Sequence, residues 1–221
     1  MNGLNGTTEP LVLLDVRRLD RTPSLPAWLQ QRIAALESEC QPDSTGNHRL
    51  MVVLPRAMTL NSSERAVVEE RAADRVSWLD VGQRITLEGR TLSNDQAISV
   101  IIAKLLIKLR GSKLDETSSD ALAEDYLDAV EDLPAWSVRN ALRKWNRGES
   151  AKFDGKRHEF DWRPAPATLR RLAQMELAPI KAEMVQLEKL LIAVPRLEFS
   201  DEHRAKMLAL LTELGESLRA I

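Results

Sequence analysis

The chain is poor in the residues that disulfides, nucleotide sites and metal sites require. Cysteine occurs once, as Cys40, which excludes an internal disulfide and a thiolate metal cage. The nine glycines form neither the Gly-x-Gly-x-x-Gly motif nor the Gly-x-x-x-x-Gly-Lys-Ser/Thr phosphate loop. The three histidines, His48, His158 and His203, lack the three- or four-residue spacing of metal ligands. The sequence therefore predicts no catalytic residue, no cofactor and no metal site.

Aromatic residues, net charge and long apolar runs are also scarce. Aromatic side chains make up 4% of the 221 residues, so an aliphatic core is expected. Thirty-one basic and 33 acidic residues give a formal charge of −2, which does not attract the whole molecule to nucleic acid. No stretch approaches about 20 uninterrupted apolar residues. We expect a cytoplasmic protein that does not enter a membrane.

What the chain does contain is the pattern of a mainly α protein. Hydrophobic residues at 43% and charged residues at 29% are typical of a globular chain. The periodicity predicts a small helical bundle in three consecutive parts. These are an irregular N-terminal region over 1–91 with two helices and short strands, a helical core over 92–164, and a C-terminal helical hairpin over 165–221.

Strand and turn signals are confined to the N-terminal region. The apolar run Leu50–Leu54 ends at a proline and favours a strand, for which 11–14 is the expected partner. Asn61-Ser-Ser-Glu64 is a capping box that predicts a helix as far as about Val76. The segment between Gly82 and Gly89 indicates a turn or a short hairpin strand.

The helical core begins at a second capping box, Ser93-Asn-Asp-Gln96. Apolar residues then recur at helical spacing up to Leu109. A third helix follows Thr117, and a fourth opens at Pro134 with Trp145 on its apolar face.

The C-terminal part predicts two helices that form an αα-hairpin. Pro166 opens the first, and Pro179 inside it predicts a kink or a break. The second begins at Ser200 and is expected to place Met207, Leu208, Leu211, Leu214 and Leu218 inward.

An acidic face follows the first core helix. Eight acidic residues and no basic ones lie between Asp115 and Asp132. One interpretation is a carboxylate or divalent-metal site, and the other is a solvated helix face that docks a basic partner. The residues predicted to contact a partner are Glu124, Asp125, Asp128, Glu131 and Asp132.

A basic segment with interleaved aromatic rings comes next. Ten basic residues lie against four acidic ones between 139 and 171. Cations that neutralise phosphates and rings that stack on bases are what single-stranded nucleic acid requires, although the rings fit equally a structural role in the core. The candidate contacts are Arg143, Lys144, Trp145, Arg147, Lys152, Lys156, Arg157, Trp162 and Arg163.

The layout of 99–172 resembles the phage and prophage loader and inhibitor proteins of replicative helicases. The resemblance lies in the turn Asp132-Leu-Pro134, in Trp145 near the end of the next helix, and in the entry Trp162-Arg-Pro-Ala-Pro166. It implies a non-catalytic accessory protein of DNA replication that binds a replicative helicase or initiator and touches single-stranded DNA. That family holds the helicase with a flexible C-terminal segment, whereas this C-terminus is predicted to be helical. The alternative is a homo-oligomer, a structural adaptor that assembles through its C-terminal helices.

Overall fold

The computed structural model describes residues 14–15, 24–42, 45–108, 116–150, 160, 162–199 and 201–219, and most of them are helical. The helices are α1 (Ala27–Ala34), α2 (Ser62–Leu79), α3 (Asn94–Lys108), α4 (Glu116–Val130), α5 (Ala135–Asn146), α6 (Pro166–Ile192) and α7 (Asp201–Arg219). The strands are β1 (Leu14–Asp15), β2 (Glu37–Pro42), β3 (His48–Leu54), β4 (Ile85–Leu87), β5 (Arg90–Leu92) and β6 (Val194–Pro195). This composition confirms the mainly α prediction.

Both predicted capping boxes form and fix the starts of α2 and α3. The Glu64 N–H donates to Asn61 Oδ1 at 2.9 Å, and the Asn61 N–H donates back to Glu64 Oε2 at 3.1 Å. Ser93 and Gln96 make the same reciprocal pair, at 3.1 and 3.3 Å. These side chains satisfy N–H groups that have no partner inside the helix.

The strands form two three-stranded sheets, ordered β1-β4-β5 and β2-β3-β6. The predicted strand at Leu50–Leu54 is confirmed within β3, but its expected partner was wrong. β3 pairs antiparallel with β2 and parallel with β6, while Leu14 pairs in parallel with Ile85. A short apolar run specifies extended backbone without specifying which strand it joins. Residues 11–13 lie outside the described residues.

One compact unit combines residues 1–25 with 66–188 and contains the main apolar core. Ile98, Ile102, Val130, Val138 and Leu169 are almost completely buried there. α3 packs against both α4 and α5. The ring of Trp136 meets Trp78 edge-on at 5.9 Å, and its indole N–H donates to the Trp78 carbonyl at 2.7 Å.

The other unit combines residues 26–65 with 189–221, so each unit is built from two separate stretches of chain. Its buried apolar residues are Leu29, Val53, Leu54 and Leu190. The division falls inside α2 and inside α6, whereas the sequence suggested three consecutive parts.

The two predicted C-terminal helices form as α6 and α7. Of the kink or break predicted at Pro179, a break does not occur, because α6 continues through that residue. In α7, the predicted inward orientation was wrong for Met207, Leu208 and Leu211, which are exposed. The side chains of Leu214 and Leu218 lie outside the described ones. Within the ranges described above, no helix is both long and apolar enough to cross a membrane.

Candidate functional site: a cationic cleft

A cleft of about 210 Å³ opens beside α3 and α5. Its apolar floor consists of Leu87 from β4, Ile101 and Leu105 from α3, and Leu142 from α5, all largely buried. The floor exists because the apolar stripes of α3 and α5 pack against each other in the core.

The rim of the cleft is cationic. Lys104 and Lys108 are four residues apart on α3, and Arg139 and Arg143 have the same spacing on α5. Residues i and i+4 share one helix face, so each helix presents its pair to the same opening. Among the described lining residues the only carboxylate is Glu88.

Glu88 occupies an unusual backbone position. It forms a two-residue hairpin turn with Gly89, since Leu87 pairs with Arg90. The φ angles are +52° at Glu88 and +79° at Gly89, as in a type I′ turn. Glycine adopts that conformation freely, whereas a glutamate there is strained.

The Glu88 carboxylate lies against one of the rim cations. Lys104 Nζ donates a hydrogen bond to Glu88 Oε1. This bond and the Lys104 charge hold the pKa of Glu88 below its usual range, and the charges of Arg139 and Arg90 act in the same direction. Lys104 therefore favours the ionised form of Glu88.

The chemistry of this site is that of binding. An apolar floor surrounded by ammonium and guanidinium groups favours an anionic ligand that carries an apolar part. In the described portion of the chain, no group of three or more His, Cys, Asp or Glu side chains is arranged to hold a metal ion.

The five residues of the predicted acidic face are all exposed. Glu124, Asp125, Asp128 and Glu131 lie on α4 and the turn that follows it. Asp132 also forms a two-point ion pair with Arg170 of α6, at 2.5 and 2.8 Å. That hydrogen-bonded pair lowers the pKa of Asp132 and raises the pKa of Arg170. The pair gives Asp132 a structural role, and since its side chain is still 56% exposed, its role as a partner contact stays a prediction.

The turn Asp132-Leu-Pro134 is also held by a buried amide from α3. Asn94 Nδ2 donates to the Leu133 carbonyl at 3.0 Å, and Asn94 Oδ1 accepts from the Ala135 N–H at 2.7 Å. The turn is therefore fixed by α3 and α6 together. The sequence placed Asn94 in a capping box and gave no sign of this second contact.

Trp145 was wrongly predicted to be available for base stacking. It is 4% exposed, and the ring of Phe160 meets it edge-on at 5.1 Å. Its indole N–H donates to the Trp162 carbonyl at 2.9 Å. The structural interpretation of this aromatic group, which the sequence left open, applies to Trp145.

The other predicted nucleic-acid contacts that the structure describes differ in their surroundings. Arg143 lines the cleft, and Lys144 Nζ pairs with Glu176 at 2.6 Å. Arg147 is exposed, Trp162 is 51% exposed, and Arg163 is half-buried. Three more predicted contacts lie outside the described residues: Lys152, Lys156 and Arg157.

Sequence reasoning missed the two rim cations of α3, Lys104 and Lys108, and it counted Arg139 in the basic segment without listing it as a candidate contact. The available signal was the repeated i, i+4 spacing of basic residues on two helices. That spacing shows a basic stripe on each helix, but only the packing of α3 against α5 brings the stripes together.

Comparisons of this chain with protein-family models, with curated proteins and with solved structures find no match.

Proposed function

We propose that this protein is a non-catalytic, cytoplasmic accessory factor of DNA replication, of the phage or prophage kind, that binds a replicative helicase or initiator. The observation that carries the proposal is the cationic cleft, because it offers an apolar floor and a charged rim to a partner surface. The ordered Asp132-Leu-Pro134 turn supports it as well, since that turn is part of the resemblance to helicase loaders and inhibitors.

In this proposal the protein changes the helicase by binding alone. The partner contributes an acidic surface to the cleft, and the exposed carboxylates of α4 remain free for a second, basic partner. Charges of opposite sign at separate places on one unit give specificity and a fast association rate.

The test is co-elution of the full chain with purified replicative helicases in size-exclusion chromatography. We expect a complex that Lys104→Glu with Lys108→Glu abolishes and that Lys189→Glu, an exposed charge reversal on α6, preserves. Absence of a complex with several helicases and initiators, or equal loss with Lys189→Glu, would contradict the proposal.

One observation favours a second candidate function, an adaptor that self-associates through α7. Four apolar side chains of that helix are strongly exposed: Met207 (47%), Leu208 (70%), Leu210 (53%) and Leu211 (62%). Contiguous exposed apolar surface is typical of protein contact sites. Sedimentation analysis tests this candidate, which predicts an oligomer that Leu208→Glu with Leu211→Glu converts to a monomer. A wild-type monomer at all concentrations contradicts it.

A further inference from the structure

We infer that a second cavity, at the C-terminal end of α5 and against α6, binds an arginine side chain of a partner protein through its guanidinium group and aliphatic stem. This α5–α6 cavity has a volume of about 220 Å³ and shares no described lining residue with the cationic cleft. The inference goes beyond the proposed function, which does not use this part of the molecule.

The end of α5 explains why polar groups meet at this cavity. The Gly148 N–H donates to the Trp145 carbonyl at 2.9 Å, and the Glu149 N–H donates to the Lys144 carbonyl at 2.9 Å. With φ of +70° at Gly148, these two bonds form a Schellman motif, which turns the chain back after the helix. Glu149 and Ser150 therefore line the same cavity as Lys144.

The first argument is the charge of the cavity lining. Lys144 Nζ donates to Glu176 Oε1 at 2.6 Å, so these two charges compensate each other. The third charged residue of the described lining is Glu149, which is exposed and forms no ion pair in the described part of the chain. A cationic ligand can therefore pair with Glu149 and leave the Lys144–Glu176 pair intact.

The second argument is the hydroxyl group of Ser150. Ser150 is 7% exposed, and its Oγ has no hydrogen-bond partner among the residues that the structure describes. A buried hydroxyl without a partner costs free energy, and a ligand in the cavity can supply the missing bond. Rotation about the single χ1 bond turns this oxygen towards a ligand without any movement of the backbone.

The third argument is the chemistry of the cation. A carboxylate and a hydroxyl on the neighbouring residues Glu149 and Ser150 share the cavity lining with the apolar side chains of Leu172 and Met175. A guanidinium group carries five N–H donors in one plane and can donate to both acceptors. An ammonium group is more strongly hydrated, so it loses more hydration free energy against an apolar wall. The aliphatic stem of an arginine packs on that wall.

The fourth argument is size and access. The volume of about 220 Å³ is smaller than the roughly 300–1,000 Å³ of pockets that enclose whole cofactors or drug-sized ligands. Glu149 is exposed and Met175 is 44% exposed, so the lining reaches the protein surface. One long side chain fits the cavity while the rest of its protein stays outside, as an anchor residue does.

The experiment measures, by fluorescence anisotropy at low salt, how the full chain binds a fluorescein-labelled Gly-Ser peptide with one central arginine. Glu149→Gln removes the carboxylate that has no ion pair, and we expect at least about threefold weaker binding. Ser150→Ala removes the hydroxyl, and we expect about three- to tenfold weaker binding. Because the hydroxyl has no partner in the free protein, the thermal midpoint of Ser150→Ala should equal or exceed that of the unaltered chain. Unchanged affinity with a lower midpoint would show a purely structural serine and overturn the inference.

A matched control separates the cavity from the net charge of the protein. Glu70→Gln removes an exposed carboxylate of α2 that does not line the α5–α6 cavity. It should leave the affinity for the arginine peptide within about twofold of the unaltered chain. If Glu70→Gln weakens binding as much as Glu149→Gln does, the inference is overturned.

The ligand class is tested with altered probes. A peptide with citrulline, the neutral analogue of arginine, should bind at least about fivefold more weakly, and a lysine peptide should also bind more weakly than the arginine peptide. Equal binding of either one overturns the inference. Agmatine, a free guanidinium compound with an aliphatic stem, should displace the arginine peptide; agmatine that binds while no arginine peptide does would overturn the assignment to a partner side chain. If a helicase complex depends on Lys104 and no arginine peptide binds, this inference fails and the proposed function stands.

Discussion

α6 and α7 are both long helices with recurring Leu and Met residues, and they differ in what covers those residues. α6 buries Leu169, Leu172 and Leu187, whereas every side chain of α7 that the structure describes is exposed. The periodicity is satisfied equally in both, because it reports only that apolar residues share one face. Whether another element covers that face is decided by packing partners elsewhere in the chain.

The largest expected effect tests the buried side of this comparison. Leu169→Ala removes a side chain with no exposed surface in the main core and leaves a cavity. We expect the free energy of unfolding to fall by about 2–5 kcal/mol, measured by urea titration followed by circular dichroism.

Leu169→Met is the control, since it nearly conserves volume and should cost less than about 1.5 kcal/mol. A loss below about 0.5 kcal/mol for Leu169→Ala would mean that α6 is no better buried than α7, and the comparison would fail.

Much of the fold follows from local signals in the sequence. Both capping boxes, the helix opened by Pro134 and the strand at Leu50–Leu54 could be predicted because each depends on nearby residues. The pairing of β3 and the exposure of α7 could not, because they depend on residues far away in the chain.

The candidate site likewise combines features that local sequence predicts with features that depend on contacts between distant residues. The basic character of Arg143 was visible in the sequence, but its association with Lys104 and Lys108 required α3 and α5 to pack together. For Trp145 the sequence suggested a contact that the structure does not allow. An aromatic ring on an amphipathic helix is compatible both with burial in the core and with stacking on a base, and the sequence does not distinguish the two. The role of Asn94 was invisible, since its two partners lie about 40 residues away.

A smaller effect concerns the chain that leads into α6. The buried Tyr126 hydroxyl donates to the Pro164 carbonyl at 2.5 Å, just before the helix begins. Tyr126→Phe removes that donor, and we expect a loss of about 1–2 kcal/mol in urea unfolding. No change would mean that this bond does not anchor α6.

Tyr126 also makes the free energy of unfolding depend on pH, and the direction of its pKa shift fixes the sign of that dependence. Burial raises the pKa of Tyr126, and the nearby Arg163 partly opposes this. Because burial favours the neutral phenol, the folded-state pKa of Tyr126 lies above its unfolded-state pKa of about 10. The contribution of the neutral phenol to the free energy of unfolding is therefore complete below the unfolded-state pKa and is lost as the pH rises through the folded-state pKa. Tyr126 is the only tyrosine in the chain, so tyrosinate absorbance reports on it alone. An alkaline titration of the tyrosinate absorbance with a midpoint at the ordinary tyrosine pKa of about 10 would contradict the burial of Tyr126.

The smallest expected effect tests the exposed side of the comparison. Leu208 is 70% exposed on α7, so Leu208→Ala removes little surface that folding takes out of water. For a monomer we expect a change within about 0.5 kcal/mol in the free energy of unfolding, against the several kcal/mol of Leu169→Ala.

The measurement is repeated across a wide range of protein concentration, because self-association makes apparent stability depend on concentration. If the Leu208→Ala loss grows with concentration, the covering partner of α7 is a second copy of the chain. If it stays near zero throughout, α7 is uncovered in the isolated protein, and the difference between the two helices lies within the fold of one chain.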